Sequence, residues 1–587
     1  MPDWRTELRT DRSLRLIVSI YVVLVAFYAL WLPSFEGPDE TEHVRYVEAC
    51  SIGESVHPFD PEQPNRWGYQ IQHPALYYNL MGLYARVLNI EFPQKLVINE
   101  SQNPRFPFIR HDLIGHSFPW SGPHLGLRLL RLTSAVFGLI TLFATWTMLL
   151  LLFPSRRLLR SLLLAATMLM PNTLHMFAVV ANDSLAMVLA TLAGTCSIAV
   201  LKSDRDRPPS SRLCALGGLF LGLAFSVKIT AVQLVMALAT AFIVDGFKTG
   251  NWRWTGRALM LAAIPAALPV GAYFAASLHN YGSFIPSDFA EHLYPGMYRA
   301  EPMALSSLLL PFVRYFQDGF AADLGWQSVQ LPRFVSAPLF WVGAIALAAS
   351  VPNGKAAERQ TAIRLLPVFV VIASAIVLLD HNRTATNFQI RHFWQVFPLA
   401  IPALGYATYL IRSPQLRRGL AVISVLLLVA LNATTLLSFS DFYREAPDEN
   451  VDRDYHTFIY SYNINRSRGE SYLRYGTFAM YDFVNAFQAK DWSSVIDNAN
   501  ELEKRRIDSK KTNQMLAVAM GHTGDLYRAL ALLEPVIDSS PEVHLLYAEL
   551  LVESQRREEA ARFIDSVLPE HAGRLANRLR SLRRSLD

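Results

Sequence analysis

The chain has 587 residues, of which 52% are hydrophobic and only 18% charged, and it carries a formal charge of +5. That balance excludes an ordinary soluble protein and points to one that crosses a membrane many times. The positive charge is spread over short connections, which excludes nucleic acid as a partner, and Cys50, Cys196 and Cys214 have no spacing that would suit a disulfide framework or a zinc site.

Residues 14–34 form the first membrane-length apolar run; no small-residue cleavage site ends it, so it is expected to remain as a span. Directly after it comes Gly37-Pro38-Asp39-Glu40-Thr41-Glu42-His43, at the head of a long polar loop over 35–124. A water-facing group there can meet a lipid-borne one, so the cluster reads as the opening of an active site. Asp39 and Glu40 also suit the first turn of a helix, because Pro38 precedes them and negative charge favours a helix N-terminus. Glu42 reads as a solvated residue of that helix. Residues 75–84 are apolar, too short to span and preceded by Pro74, which predicts an interfacial or re-entrant helix.

Further apolar runs fall at 129–152, 158–180, 184–201, 213–227, 229–245, 257–277, 333–351, 364–380, 392–411 and 418–438, giving about eleven spans. Alternate connections are basic, such as Arg156, Arg157 and Arg160 or Lys248, Arg253 and Arg257, and all of these fall on the side of the N-terminus. The positive-inside rule then predicts a cytoplasmic N-terminus and, after an odd number of spans, an external segment from about 440 onward. Residues 303–319 also read as an interfacial helix, since Pro311 breaks the run and Arg314 and Asp318 do not suit a span.

After a linker over 439–483, residues 484–587 become rich in charge, with Ala and Leu at helical spacing. Asp491-Trp492-Ser493, Gly524-Asp525-Leu526 and Gln555-Arg556-Arg557 recur roughly every thirty residues and each opens a helix, as degenerate tetratricopeptide repeats do. An ordinary helical bundle is the plainer alternative. Stacked repeats would present a concave face to a protein or glycan partner. The expected fold is all-α, a polytopic membrane domain over 1–438 followed by an external helical-repeat domain.

This topology gathers polar residues at the external ends of the spans. Asp39, Glu40, His43 and His73 lie in the first loop, Arg128 and Arg131 enter the second span, and Asn182 and Asp183 open the fourth. Lys228 sits at a junction of two spans, while Asp380, His381, Arg383, Arg391 and His392 flank the last external loop. Charges at that depth persist only where they pair or line water, so a charged cavity at the external leaflet is expected. Plainer roles stand beside this one: Asp183 as a helix cap, Lys228 snorkelling to headgroups, Arg391 resting on a lipid phosphate.

Taken in order, Pro38-Asp39-Glu40-x-x-His43, His73-Pro74-Ala75-Leu76-Tyr77-Tyr78, Arg128-x-x-Arg131-Leu132-x-Ser134, Asn182-Asp183-Ser184, Gly325-Trp326 with Leu331-Pro332, and Arg391-His392-Phe393 with Pro398 form an ordered set. The set resembles the GT-C superfamily of membrane glycosyltransferases, closest to a bacterial multi-spanning branch of unknown function. The resemblance covers about residues 14–438 and leaves out the tail. The branch usually has Pro-Pro where this chain has Gly37-Pro38, often a second proline where Ala75 stands, and Gly-Arg-Tyr in place of Ile390-Arg391-His392. The last departure leaves Arg391, and no neighbouring aromatic hydroxyl, as the candidate there.

The resemblance implies an enzyme of a bacterial cytoplasmic membrane that takes a sugar from a polyprenyl-phosphate donor. It would pass that sugar, with inversion, to an envelope glycan, lipid or protein acceptor on the external face. It implies Asp39 as the base, Glu40 as its partner or a metal ligand, and Arg391 and Lys228 as cations for the departing phosphate. His43, His73, Tyr77, Arg128, Asp183, Trp326 and His392 fall on its motifs as substrate-binding candidates. The sequence leaves open whether His43 and His73 orient the carboxylate, bind phosphate, or complete a divalent-cation site with Asp39 and Glu40. Membrane lipids are expected partners. Competing readings are an O-antigen ligase or polymerase, whose large external loop usually lies late in the chain; a transporter, which would place ionisable groups near the bilayer midplane; and an envelope assembly scaffold.

Overall fold

A computed structural model describes residues 9–54, 73–92, 96–99, 118–286, 302–324, 329–351, 361–385, 389–444, 450–453, 490–504, 510–539, 541–571 and 573–586, with Glu7, Gln70, Phe483, Ala486 and Phe487 as isolated positions. The chain opens with α1 (Arg12–Trp31), α2 (Glu40–Ser51), α3 (Leu76–Val87) and a short strand β1 (Leu96–Asn99). It continues with α4 (Gly122–Leu152), α5 (Arg157–Met168), α6 (Pro171–Met176), α7 (Asn182–Leu201), α8 (Ser211–Phe225), α9 (Val232–Thr249) and α10 (Trp252–Tyr281). Next come α11 (Leu305–Gly319), the hairpin β2 (Asp323–Leu324) and β3 (Val329–Gln330), α12 (Arg333–Ser350) and α13 (Thr361–Thr384). Three short helices, α14 (Arg391–Trp394), α15 (Phe397–Ala400) and α16 (Pro402–Ala407), precede α17 (Pro414–Arg444) and β4 (Asn450–Arg453). The tail consists of α18 (Trp492–Lys504), α19 (Lys510–Thr523), α20 (Leu526–Leu533), α21 (Pro541–Glu553), α22 (Arg557–Val567) and α23 (Gly573–Arg584).

Eight helices among the described residues are long and apolar enough to cross a membrane, so the chain is an all-α polytopic membrane protein. Three of the expected spans take another form. The run at 213–227 is the shorter apolar helix α8. The run at 158–180 is not one helix but α5 and α6, parted before Pro171, because proline starts a helix readily and cannot continue one. The run at 392–411 is likewise restarted at Pro398 and Pro402 into α14, α15 and α16.

Close backbone approach holds the spans together. Gly218 and Gly222 of α8 face α10, where an added Cβ would lie 1.9 Å from the Ala262 carbonyl oxygen or 2.3 Å from that of Ala266. Small residues at such contacts matter because lipid tails give membrane helices no hydrophobic reason to associate. In the first loop α2 packs on α3, and Leu80, Leu83 and Val87 of α3 stay exposed, the stripe an interfacial helix offers to a bilayer surface. Leu305, Leu309 and Leu310 of α11 do the same. Glu42, expected to be solvated, is only 3% exposed, because α2 is buried over its whole first turn.

Most of the expected linker over 439–483 lies outside the described residues. Within it, β4 pairs antiparallel with β1, Leu96 opposite Arg453. Phe483, Val495, Met515 and Ala519 share one apolar core with Tyr46, Val47 and Tyr77 of the first loop. The tail also repeats a turn. The backbone N–H groups of Asp491, Asp525 and Arg556 each donate to a carbonyl five residues back, at 2.9 Å in all three cases, and each follows a left-handed residue, Lys490, Gly524 or Gln555. This is the helix C-terminal motif that most often uses glycine, here followed each time by a new helix.

Candidate active site

The turn between α1 and α2 builds the centre of the site. Phe35 and Asp39 take left-handed backbone conformations, with φ of 66° and 53°, which cost free energy in any residue with a Cβ but which Asp tolerates better than most. Asp39 stands at the N-cap of α2, yet its side chain caps nothing. The carboxylate turns instead to Arg391 of α14, whose Nη2 donates to Oδ2 while Nη1 donates to the Pro38 carbonyl at 3.1 Å. Gly37 lets the turn pass, since a Cβ there would lie 2.8 Å from Val179 Cγ1.

Glu40 points the other way and is fully buried. Its Oε1 accepts from Arg131 Nε at 2.8 Å and Val180 N at 2.9 Å, its Oε2 from Arg131 Nη2 at 2.5 Å and Gly37 N at 3.3 Å. The remaining Arg131 protons go to the carbonyls of Ala29, Leu32 and Pro33, at the C-terminal end of α1, where a cation also suits the helix dipole. All five guanidinium donors are used. Glu40 is therefore a brace, with no oxygen left for the metal ion or proton-transfer partnership expected of it.

Asp183 and Lys228 form a second ion pair, with Nζ 2.6 Å from Oδ1. Gln395 Nε2 donates to the same oxygen at 2.8 Å, and Gln395 Oε1 accepts from Thr230 at 3.0 Å. Asp183 is not the cap of α7, a position Ala181 holds. Lys228 does not snorkel, being 5% exposed with its ammonium turned inward.

A cleft enclosing about 600 Å³ of empty space, its mouth included, is lined by Asp39, Arg391, Asp183, Asn172, His175, Asp323, Gln389 and Trp394, among others. Asp323 is held by Tyr315 Oη at 3.0 Å and Gln330 Nε2 at 2.6 Å, and its backbone N–H donates to Asn172 Oδ1 at 2.6 Å. Asn172, Asp323, Gln389 and Gln395 were not expected here from sequence. Asn172 and Gln395 had a usable signal, a lone amide within a span-length apolar run; Asp323 and Gln389 had none.

Of the histidines, His43 Nδ1 lies 2.8 Å from Tyr78 Oη, whose proton goes to Gln70 Oε1 at 3.3 Å. Burial, helped by Lys228 and Arg391, holds His73 down at about 3, and burial likewise pushes His43 and His392 well below the usual imidazole range. Burial thus favours the neutral form of each ring, and all three feel Lys228, Asp183 and Arg391. Tyr77 is buried edge-on against Tyr78 and does not line the cleft. Arg128 is also set apart: its Nη1 donates to Ser34 Oγ at 3.1 Å, bracing the turn after α1. Trp326 lies outside the described residues. Among the described residues no three His, Cys, Asp or Glu side chains come together as a metal-binding group.

No family model matches the chain, and no curated protein is significantly similar to it. Among solved structures, ArnT from Cupriavidus metallidurans bound to undecaprenyl phosphate is similar over 97% of this chain and 84% of that one, with 14% identity and a TM-score of 0.44. The Archaeoglobus fulgidus oligosaccharyltransferase in complex with zinc and sulfate is similar over 73% of this chain and 54% of that one, with 12% identity and a TM-score of 0.44. Likeness at that level decides nothing about activity, which has to be read from the cleft.

Proposed function

We propose that this protein is a membrane glycosyltransferase of the GT-C type, moving a sugar from a polyprenyl-phosphate donor to a hydroxyl-bearing envelope glycan, lipid or protein at the first-loop face of the membrane. The observation that carries the reading is the Asp39–Arg391 pair in the cleft, a carboxylate on a left-handed turn held by a guanidinium 352 positions further along the chain. Asp39 takes the proton of the acceptor hydroxyl as that oxygen attacks the anomeric carbon. The bond from that carbon to the phosphate oxygen breaks, and the charge gained by the leaving polyprenyl phosphate falls to Arg391, with Lys228 beside it. A single displacement from the opposite face inverts the anomeric carbon.

The pairing also orders the reaction. A phosphate competes for the same planar fork that holds Asp39. Donor binding thus releases the base, so the donor binds before the acceptor is activated.

The basic connections support an N-terminus in the cytoplasm of a bacterial cell, with the first loop and tail outside. The thrice-repeated turn supports a tetratricopeptide-like tail for a protein or glycan partner.

The test is to incubate purified protein with a panel of polyprenyl-phosphate sugars and score donor consumption. Asp39→Asn should lower turnover by about 10²–10⁴-fold with an unchanged melting temperature, and Arg391→Ala should raise the donor KM more than the acceptor KM. Wild-type protein that consumes no donor, or Asp39→Asn that keeps full turnover, would sink the assignment.

A further inference from the structure

Buried polar atoms without a hydrogen-bond partner include Asp183 Oδ2, Gln389 Oε1 and Trp394 Nε1 on residues that line the cleft, and His43 Nε2 and His392 Nδ1 on residues beside it. Asp183 and Gln389 line the cleft, at 1% and 7% exposure. His43 stands one turn after Asp39, its backbone N–H donating to the Asp39 carbonyl at 3.0 Å, and His392 follows Arg391 in α14, so both are held beside the same centre.

Of these, Asp183 Oδ2, Gln389 Oε1 and His43 Nε2 can only accept, and Trp394 Nε1 can only donate. The oxygens of Asp183 and Gln389 carry no proton. In His43 the tautomer follows from its neighbours: the Tyr78 hydroxyl proton is spent on Gln70, so Nδ1 carries the ring proton and donates it to Tyr78 Oη. That leaves Nε2 as a bare lone pair on a neutral ring. Each unpaired buried acceptor costs about 1–3 kcal/mol, so the two that line the cleft, Asp183 Oδ2 and Gln389 Oε1, with His43 Nε2 beside it, favour an occupant that brings donors.

Charge narrows what the donors belong to. A metal ion is opposed by Lys228, 2.6 Å from the other oxygen of Asp183, and by Arg391. A second anion beyond the phosphate is opposed by Asp39, Asp183 and Asp323, three carboxylates lining the cleft with Arg391. A ring of hydroxyl groups meets neither objection. We infer that this acceptor-rich wall is the subsite for the donor's glycosyl group, and that it selects sugars presenting hydroxyl donors and rejects those bearing a carboxylate. The inference rests on the lipid-phosphate reading above, with Arg391 holding the phosphate and the wall holding the ring.

The test is equilibrium binding of three probes to the full-length protein in detergent micelles: a short-chain polyprenyl phosphate, the same lipid bearing a hexosyl group, and the same lipid bearing a hexuronosyl group. The hexosyl lipid should bind roughly tenfold tighter than the bare lipid, and the hexuronosyl lipid no tighter than the bare one. Gln389→Leu should leave bare-lipid affinity in place while removing most of the hexosyl advantage. Equal binding of hexosyl and bare lipids, equal binding of the two sugars, or a full hexosyl advantage in folded Gln389→Leu each overturns the subsite. The wild-type comparisons decide the matter even where the variant does not fold. Failure of the bare lipid to bind, or its equal binding to Arg391→Ala, is a distinct result that overturns the lipid-phosphate reading and the subsite with it.

Discussion

Asp39 and Glu40 are neighbours in sequence, and each meets an arginine from a distant helix. Glu40 and Arg131 are sealed from solvent, and every donor and every oxygen is spent. Asp39 and Arg391 are joined through one carboxylate oxygen, on a strained turn, with the arginine 18% exposed. One pair has nothing to gain by parting, whereas the other can trade its arginine for a better anion. A single chain reversal thus gives both a fixed brace and an exchangeable pair, and the brace keeps the exchangeable carboxylate in place.

The comparison can be broken at either pair. Arg131→Ala should have the largest effect, because it strands a buried carboxylate; the loss should be about 3–5 kcal/mol, read as a lower melting temperature or less folded protein in membranes. The double change Glu40→Leu with Arg131→Met should be milder than the single one, and a wild-type melt for Arg131→Ala would deny Glu40 its role as a brace. Gly37→Ala forces Val179 aside at the hinge between the pairs and should cost about 1–3 kcal/mol, with activity falling alongside stability. Arg391→Lys keeps the charge but loses the fork; donor affinity should fall roughly tenfold while the melt stays put, in a titration with lipid phosphate.

A separate expected effect is on pH dependence. His73 falls from the ordinary 6.5 to about 3, chiefly through burial, and His43 and His392 shift the same way. Below the ordinary value the unfolded chain binds protons that the folded chain refuses, so stability is intact above about 6.5 and drains away as the pH falls toward 3. Melting temperatures taken between pH 7.5 and 5 should decline, and His73→Asn should flatten the slope.

Much of this is legible in the sequence alone. Membrane-length apolar runs marked the long spans because hydrophobicity over such a length has few other uses. Asp39, Asp183, Lys228 and Arg391 stood out as charges at span ends. Their partners did not, since no local pattern says that Arg391 will reach Asp39 or that Arg131 will consume Glu40. Hydropathy also passed straight over the breaks before Pro171, Pro398 and Pro402, where backbone chemistry and not polarity ends the helix. Gln389 escaped notice because an ordinary amide gains meaning only from the cleft it lines.

The ion pair of Asp39 with Arg391 joins residues 352 positions apart, which makes it a matter of timing as well as geometry. At synthesis rates of about 5–20 residues per second, tens of seconds separate the two. For that interval the first loop holds its carboxylate without its arginine, while Arg131, only 91 positions after Glu40, can fix the turn much sooner. The scaffold of the site is therefore available early, and its chemistry is completed only when nearly the whole membrane domain has been made.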